Sequence, residues 1–236
     1  MSTALAQAFN QASNGPAAWR ASTVTLEPLK RAPFDLRLGL TPVWDLQSGL
    51  IGGSAIARLG APAQAEAADL EEIDVASFAY AAAVFEQGGE DRLQIPVSFV
   101  TLATQRARER LFRLTDSVRD AMRTAAVIEI CELDAVPPSR LMDVAGLVRG
   151  ICTSVVARVR PTRAALEAIQ GCRLNGVSVD APRLGLSTPD PAARLNAFAA
   201  ATRSIGADMM IHDLPAANLV DLAAAAGFSH ASVVEA

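Results

Sequence analysis

The sequence of 236 residues is 51% hydrophobic and 19% charged, which is typical of a folded globular protein and excludes a generally disordered chain. Its formal net charge of −4 offers no overall basic field, so we expect no direct nucleic-acid binding. No apolar run reaches the roughly 20 residues of a membrane-spanning helix, and the N-terminus lacks the pattern of a signal peptide. We therefore expect a cytoplasmic protein with no membrane association.

The first 33 residues differ in character from the rest of the chain. An alanine-rich start is followed by Asn14-Gly15-Pro16 and then by a polar stretch that ends at Pro33. This pattern predicts an N-terminal tail or linker over residues 1–33, before one domain over residues 34–236. The alternative is a docking segment that orders on a partner.

A β-hairpin is predicted immediately after this segment. Apolar residues alternate at Leu36, Leu38 and Leu40, and a second extended run follows the turn-forming stretch Asp45 to Gly49. The glycine pair 52–53 suits a β-bulge in the second strand.

The remainder of the domain alternates between helical and extended patterns. Apolar spacings of three and four predict helices at 65–88, 103–123, 138–150, 162–170, 191–205 and 215–226. Six short strands lie between or after them: LQIPVSF, AAVIEI, TSVVARV, NGVSVD, ADMMIH and HASVV. With the hairpin, these make eight strands and six helices. The order predicts an α/β fold, a TIM-like closed barrel whose strands are mainly parallel and whose initial hairpin strand is antiparallel.

The three cysteines give no sign of a disulfide framework or a metal site. Cys131, Cys152 and Cys172 are odd in number and have no CxxC spacing, so we expect three reduced and buried thiols.

Several motifs of the chain resemble those of the EAL domain, the barrel phosphodiesterase that linearises cyclic di-GMP. The segment TPVWDLQSGLIGGSAIAR follows the family's QPIVDL…TGxIVGxEALLR opening in the same frame. VIEICE is similar to the family's LEITE strand, LNGVSVD to the strand that carries KID, and LVDLAAAAGFSHASV to the closing helix and strand. The resemblance covers about 200 residues and implies an EAL-type barrel.

The resemblance also implies a test of activity. Hydrolysis of the phosphodiester in this family requires divalent cations held by several oxygen ligands at the barrel mouth. In this sequence most matching positions carry other residues: Ser54, Pro96, Ala157, Arg158, Ser178, His212 and Ser232. Glu129 and Asp180 remain, but no Asp or Glu lies between Ile151 and Pro161, where the family has an aspartate pair. We expect no metal, no cofactor and no phosphodiesterase activity.

Two retained residues keep a ligand-binding hypothesis open. Arg58 matches the family's phosphate-contacting arginine, and Glu129 matches a retained carboxylate. The competing interpretation is structural: Arg58 pairs with a carboxylate at the rim, and Glu129 pairs with Arg58 or Arg158, because a buried carboxylate without metal needs a partner. We favour the structural interpretation for both.

The adjacent His212 and Asp213 stand at the end of a strand and raise the question of a catalytic base. No recognisable nucleophile accompanies them, and neighbouring residues on an extended chain point in opposite directions, so we expect a surface pair. A further alternative is new chemistry from His212, Arg158 and Glu129.

The functional hypothesis is a non-catalytic, EAL-like regulatory domain of bacterial signalling that binds a protein partner, with a homodimer as one form of that interaction. The alternative hypothesis is a receptor that binds cyclic di-GMP without cleaving it.

Overall fold

A closed barrel of eight strands forms the centre of the computed structural model, which describes residues 35–62, 65–89 and 92–234. The predicted tail over residues 1–33 lies outside these ranges. In chain order the strands are β1 Arg37–Asp45, β2 Leu50–Leu59, β3 Leu93–Ser98, β4 Ala126–Cys131, β5 Ser154–Arg158, β6 Gly176–Asp180, β7 Asp208–Leu214 and β8 His230–Val233.

The strand order confirms the predicted architecture. Each strand pairs with its neighbour in sequence, and β8 closes onto β1. β1 runs antiparallel to both β2 and β8, whereas the pairs from β2 to β8 are parallel. The carboxyl ends of seven parallel strands therefore meet at one end of the barrel, the mouth, where the first residues of β1 also lie.

The predicted hairpin joins β1 and β2. Asp45 organises its turn by accepting hydrogen bonds from the backbone N–H groups of Gln47 at 2.8 Å and Ser48 at 3.2 Å. The predicted bulge is present as a register shift between β1 residues 43 and 44. Opposite this shift, Gly53 has a φ of 151°, and a β-carbon there would approach the carbonyl oxygen of Arg92 to 2.3 Å.

Helices surround the barrel. Within the described residues they are α1 Ala67–Glu86, α2 Phe99–Ala103, α3 Gln105–Leu114, α4 Arg119–Ala125, α5 Pro138–Val148, α6 Arg163–Ile169, α7 Ala181–Leu184, α8 Pro191–Thr202 and α9 Asn218–Ala226, with a short 3₁₀ turn at Asp116–Val118. No helix among the described residues combines the length and the apolar character that crossing a membrane requires.

The prediction of one continuous helix over 103–123 is wrong. Thr104 is extended between α2 and α3, and Thr115 ends α3. Each threonine hydroxyl donates to a backbone carbonyl, that of Val100 at 3.0 Å and that of Phe112 at 3.1 Å. Such local bonds compete with the helical ladder, which explains the two interruptions inside an otherwise helical apolar pattern.

The barrel interior changes from apolar to polar towards the mouth. Val127, Val156 and Met210 form a small apolar cluster separate from the main core between strands and helices. Side chains on one face of a strand recur every second residue. The next inward residues on β4, β5 and β7 are therefore Glu129, Arg158 and His212, so the apolar layer supports a polar one.

The three cysteines are free and buried, as predicted. Burial raises the pKa of Cys131 to about 12 and that of Cys152 to about 11, so these thiols stay protonated at neutral pH.

Candidate functional site

A cleft of about 1020 Å³ opens at the barrel mouth. Seven of the positions matched to the EAL pattern line it: Ser54, Arg58, Pro96, Arg158, Asp180, His212 and Ser232. Ser178 and Glu129 are fully buried below its floor, and Ala157 faces the hydrophobic core instead. The barrel thus brings together most of the residues that the resemblance assigned to one site.

Glu129 is the centre of a polar cluster at the floor of this cleft. Its Oε1 accepts a hydrogen bond from Gln94 Nε2 at 2.8 Å and another from the hydroxyl of Ser178, and His212 Nε2 lies at 2.8 Å from the same oxygen. Its Oε2 lies 2.6 Å from Nη2 of Arg158. Side chains from four strands, β3, β5, β6 and β7, therefore converge on one carboxylate. We call these five residues the Glu129 cluster.

The electrostatics of the cluster keep Glu129 ionised. Burial, the largest single influence, would raise the pKa of its carboxyl, but the charges of Arg158 and His212 and the hydrogen bonds from His212 and Ser178 hold that pKa far below its usual range. Burial would likewise lower the pKa of Arg158, but the negative charge of Glu129 raises it above the usual value. Glu129 and Arg158 thus form a charged pair, as the structural interpretation of Glu129 predicted.

The residues at the mouth do not fit a divalent cation. Both oxygens of Glu129 are already engaged, and the charged atom nearest to Oε2 is a guanidinium nitrogen, which would repel an entering cation. Asp180 faces Nη1 of Arg158 at 3.5 Å and Nε of Arg183 at 3.1 Å. No group of three or more His, Cys, Asp or Glu side chains within the described ranges is arranged to hold a metal ion.

Arg58 forms a second ion pair, with Asp74 of α1. Its Nη2 lies 2.7 Å from Oδ1 of the fully buried Asp74 and also donates to the carbonyl of Pro96, while its Nε donates to the hydroxyl of Ser77 at 3.0 Å. The other carboxylate oxygen of Asp74 accepts from the backbone N–H of Ser98 at 3.0 Å. This agrees with the predicted pairing of Arg58 with a carboxylate at the rim.

Two further arginines at the mouth also face carboxylates. Arg160 Nη2 lies 2.8 Å from Asp134, and Arg183 shares Asp180 with Arg158. Every arginine that lines the cleft within the described residues therefore has a carboxylate neighbour within 4 Å, which reduces the positive charge available to an incoming anion.

The prediction of a surface pair at His212 and Asp213 is wrong for the histidine. His212 is buried and reaches Glu129, whereas Asp213 is exposed. The backbone explains the difference: Asp213 has a φ of 58°, and the pairing of β7 with β8 is irregular between residues 211 and 214. The strand is bulged here, but His212 keeps the inward direction of Met210.

Gln94 and Asp74 take part in these clusters but were missed in the sequence. Each is a polar residue inside an apolar run, Gln94 in LQIPVSF and Asp74 in EEIDVASF. A buried polar side chain needs a hydrogen-bonding partner, so its position within such a run is the signal that could have identified both.

Comparison with solved structures shows which fold this is. The chain is similar to the structure of EAL enzyme Bd1971 with cAMP and cyclic di-GMP bound, with a TM-score of 0.65 and 11% identity over 97% of this chain and 62% of that one. It is similar to BlrP1 of Klebsiella pneumoniae in a complex with manganese and cyclic di-GMP, with a TM-score of 0.69 and 14% identity over 91% of this chain and 56% of that one.

A third match is to an isolated domain. The EAL domain of Mycobacterium smegmatis DcpA has a TM-score of 0.63 and 16% identity over 83% of this chain and 87% of that one. The chain has the EAL-domain fold. It spans about three fifths of the first two structures and most of the third. No family model matches the sequence, and no curated protein is significantly similar to it.

Proposed function

We propose that residues 34–236 form a non-catalytic EAL-like domain that acts in the bacterial cytoplasm by binding a protein partner. The observation that carries the proposal is the Glu129–Arg158 pair. In an EAL enzyme the mouth carboxylates serve as metal ligands, whereas here the guanidinium of Arg158 lies 2.6 Å from the carboxylate. Without a metal-bound water, the attack on phosphorus lacks both a strong nucleophile and charge stabilisation.

Among the described residues, no other group at the mouth supplies that chemistry. His212 is the histidine of the cleft, and its Nε2 is directed at Glu129. Cys131 also lines the cleft, but burial raises the pKa of its thiol to about 12, so it is a poor nucleophile at neutral pH. The arrangement supports a stable polar floor rather than an acid, base and nucleophile set.

The partner surface that we include in the proposal is the outer face of α5. Met142 and Leu147 on this helix are 44% and 50% exposed, while Leu141, Val144 and Val148 pack inward. Exposed large apolar side chains on one helix favour a protein contact, including a contact with a second copy of the chain.

Binding of cyclic di-GMP without hydrolysis is the second candidate. It is supported by the size of the cleft, about 1020 Å³, and by the similar structures of Bd1971 and BlrP1, which contain this dinucleotide. Against it, Arg58 is already engaged by Asp74, Ser77 and the carbonyl of Pro96.

One experiment distinguishes these functions. The purified chain is titrated with cyclic di-GMP, with and without Mg²⁺ or Mn²⁺, while heat and linear product are both recorded. The proposal expects neither heat nor product. Product formation that is lost in Glu129→Gln would contradict it. Heat without product would favour the receptor, and an Arg58→Ala variant would then test whether Arg58 contacts the ligand.

A further inference from the structure

Four exposed arginines lie at the end of the barrel opposite to the mouth. The parallel strands β4, β5, β6 and β7 begin at this end, and the helix that precedes each of them ends there. Arg123 is in the last turn of α4, Arg149 and Arg203 directly follow α5 and α8, and Arg173 lies between α6 and β6. All four are exposed. We call these four residues the arginine arc.

Hydrogen bonds hold the four helix-to-strand connections side by side. Arg123 Nε donates to the carbonyl oxygen of Gly150 at 3.0 Å, which joins the connection before β4 to the one before β5. The N–H of Asn175 donates to the carbonyl of Val155 at 2.9 Å, and the carbonyl of Asn175 accepts from the N–H of Asp208 at 3.1 Å. Because neighbouring strands lie about 4.8 Å apart, the starts of the four strands follow one another over roughly 14 Å.

The positive charge of the arc is not neutralised by other described residues. None of its four arginines forms an ion pair within the described ranges. Two carboxylates border it: Asp208 pairs with Arg92 at 3.1 Å, and Asp120 lies one helical turn before Arg123. The connections themselves contain no Asp or Glu in the segments 121–125, 145–153, 170–175 and 201–207. In a chain whose net charge is −4, the arc is a local reversal of sign.

Helix stability explains each arginine singly but does not explain the arc. A cation near the C-terminal end of a helix interacts favourably with the helix dipole, and this effect is confined to the last turn of that helix. An acidic residue on a neighbouring connection would leave the effect in place. The lack of acidic residues in all four connections therefore points to a surface that binds an anionic partner.

The surface favours an acidic protein segment over a nucleic acid. Leu147, two residues before Arg149, is 50% exposed and offers an apolar contact beside the arc. It also belongs to the outer face of α5, so the arc extends the partner surface proposed above. The large apolar side chains exposed in the described part of the chain include no aromatic one, so the arc has no platform on which bases could stack.

We propose that the arginine arc binds an acidic segment of a protein partner, with carboxylates at the four arginines and an apolar side chain on Leu147. Arginine suits this role because its planar guanidinium can donate two parallel hydrogen bonds to one carboxylate. An extended segment of about five residues spans the roughly 14 Å of the arc. The inference rests on the proposed function, in which the domain binds a protein, and it specifies the chemistry of that partner.

Fluorescence anisotropy with a labelled acidic peptide tests the proposal on the intact chain. The probe is a peptide of about 12 residues, Asp and Glu with two leucines, in about 0.15 M salt. The arc variant combines Arg123→Gln, Arg149→Gln, Arg173→Gln and Arg203→Gln. It should bind the probe at least about tenfold more weakly than wild type does, because each exposed ion pair contributes about a factor of two.

A single substitution tests the apolar contact. Leu147→Gln should weaken binding of the probe about threefold, because it removes an apolar side chain that the probe would cover. The same variant should bind an acidic peptide without leucines as tightly as wild type does. Equal weakening for both peptides would exclude Leu147 from the contact and overturn this part of the proposal.

The matched control removes four exposed arginines from the opposite ends of the surrounding helices. Arg106, Arg140, Arg163 and Arg194 lie in the first turns of α3, α5, α6 and α8. Their replacement by Gln makes the same change in net charge as the arc variant does. It should lower the affinity for the probe by less than about twofold, because screening confines the effect of exposed charges to about 8 Å at this salt concentration.

Three results would overturn the proposal. The first is the absence of binding by wild type, and the second is an equal loss of affinity in the arc variant and the control. The third is tighter binding of a DNA duplex of equal charge, lost in the arc variant, which would identify a nucleic acid as the occupant. The cyclic di-GMP titration probes the mouth and this assay probes the opposite end, so failure of the proposed function and failure of this inference are separate results.

Discussion

Two ion pairs at the barrel mouth consist of the same groups but serve different parts of the fold. Arg58–Asp74 and Arg158–Glu129 each join a fully buried carboxylate to a partly exposed arginine, at 2.7 and 2.6 Å. Asp74 lies on α1 and also receives the backbone N–H of Ser98, so its pair connects a helix to strands β2 and β3. Glu129 lies inside the barrel, where side chains from four strands converge on it.

Comparison of the two ion pairs shows that a residue retained from the EAL pattern need not have the role that the pattern implies. Arg58 and Glu129 both match positions of the EAL pattern. In this chain each makes its hydrogen bonds and ion pairs to other protein groups. Removal of the two carboxylates should have different consequences. Asp74 has backbone partners nearby, whereas Glu129 is the one acceptor that the residues of its cluster share.

The largest effect is therefore expected at Glu129. Glu129→Ala leaves Arg158, His212, Ser178 and Gln94 without their shared acceptor, so it should lower the free energy of unfolding by about 3 kcal/mol or more. Urea denaturation measures the change. Glu167→Ala removes an exposed carboxylate paired with Arg163 and should cost no more than about 0.5 kcal/mol. Equal losses in the two variants would contradict the central place of Glu129.

A smaller effect is expected at the second pair. Asp74→Asn removes the charge but keeps an acceptor for the Ser98 N–H, and Arg58 retains Ser77 and the Pro96 carbonyl. We expect a loss of about 2 kcal/mol in the same denaturation experiment, the range measured for hydrogen bonds to charged groups. A loss larger than that of Glu129→Ala would reverse the order of the two pairs.

The pH dependence of stability distinguishes the Glu129 cluster further. Because the folded-state pKa of Glu129 lies below its ordinary value, the ionised carboxylate stabilises the fold above about pH 4.3, and this contribution declines as the pH falls below that value. The stability difference between wild type and Glu129→Gln should therefore shrink as the pH falls from about 5 towards 3. A difference that stayed constant down to pH 3 would mean that Glu129 is not ionised in the fold.

The smallest effect on stability is expected outside the barrel. Met142→Glu with Leu147→Glu changes exposed side chains of α5, so the free energy of unfolding should change by no more than about 0.5 kcal/mol per substitution. If α5 mediates self-association, sedimentation should show a lower mass for this variant than for wild type. An unchanged dimer would remove α5 as its interface.

Much of the fold was predictable because each element carries its own pattern. All eight strands were found from short apolar runs, and the hairpin from its turn-forming residues. The predicted helix over 103–123 failed because apolar spacing does not register the hydroxyl bonds of Thr104 and Thr115, which interrupt it.

The candidate site was predictable only in part, since its contacts join residues distant in sequence. The pairing of Glu129 with Arg158 was one of two alternatives, and the carboxylate partner of Arg58 could not be named. The prediction that His212 lies on the surface was wrong because the adjacent charged residue, Asp213, suggested exposure of both. Its inward direction depends on the register of β7 within the closed barrel, and a sequence pattern does not specify that register.

A titration with Mn²⁺, followed by electron paramagnetic resonance, tests the central claim most directly, because it asks whether the mouth of this barrel can hold the cation that an EAL enzyme needs. The account predicts that the spectrum of free Mn²⁺ is unchanged by the protein, in wild type and in Glu129→Gln alike. Stoichiometric loss of the free signal in wild type, abolished by Glu129→Gln, would show that Glu129 is a metal ligand and would contradict the account.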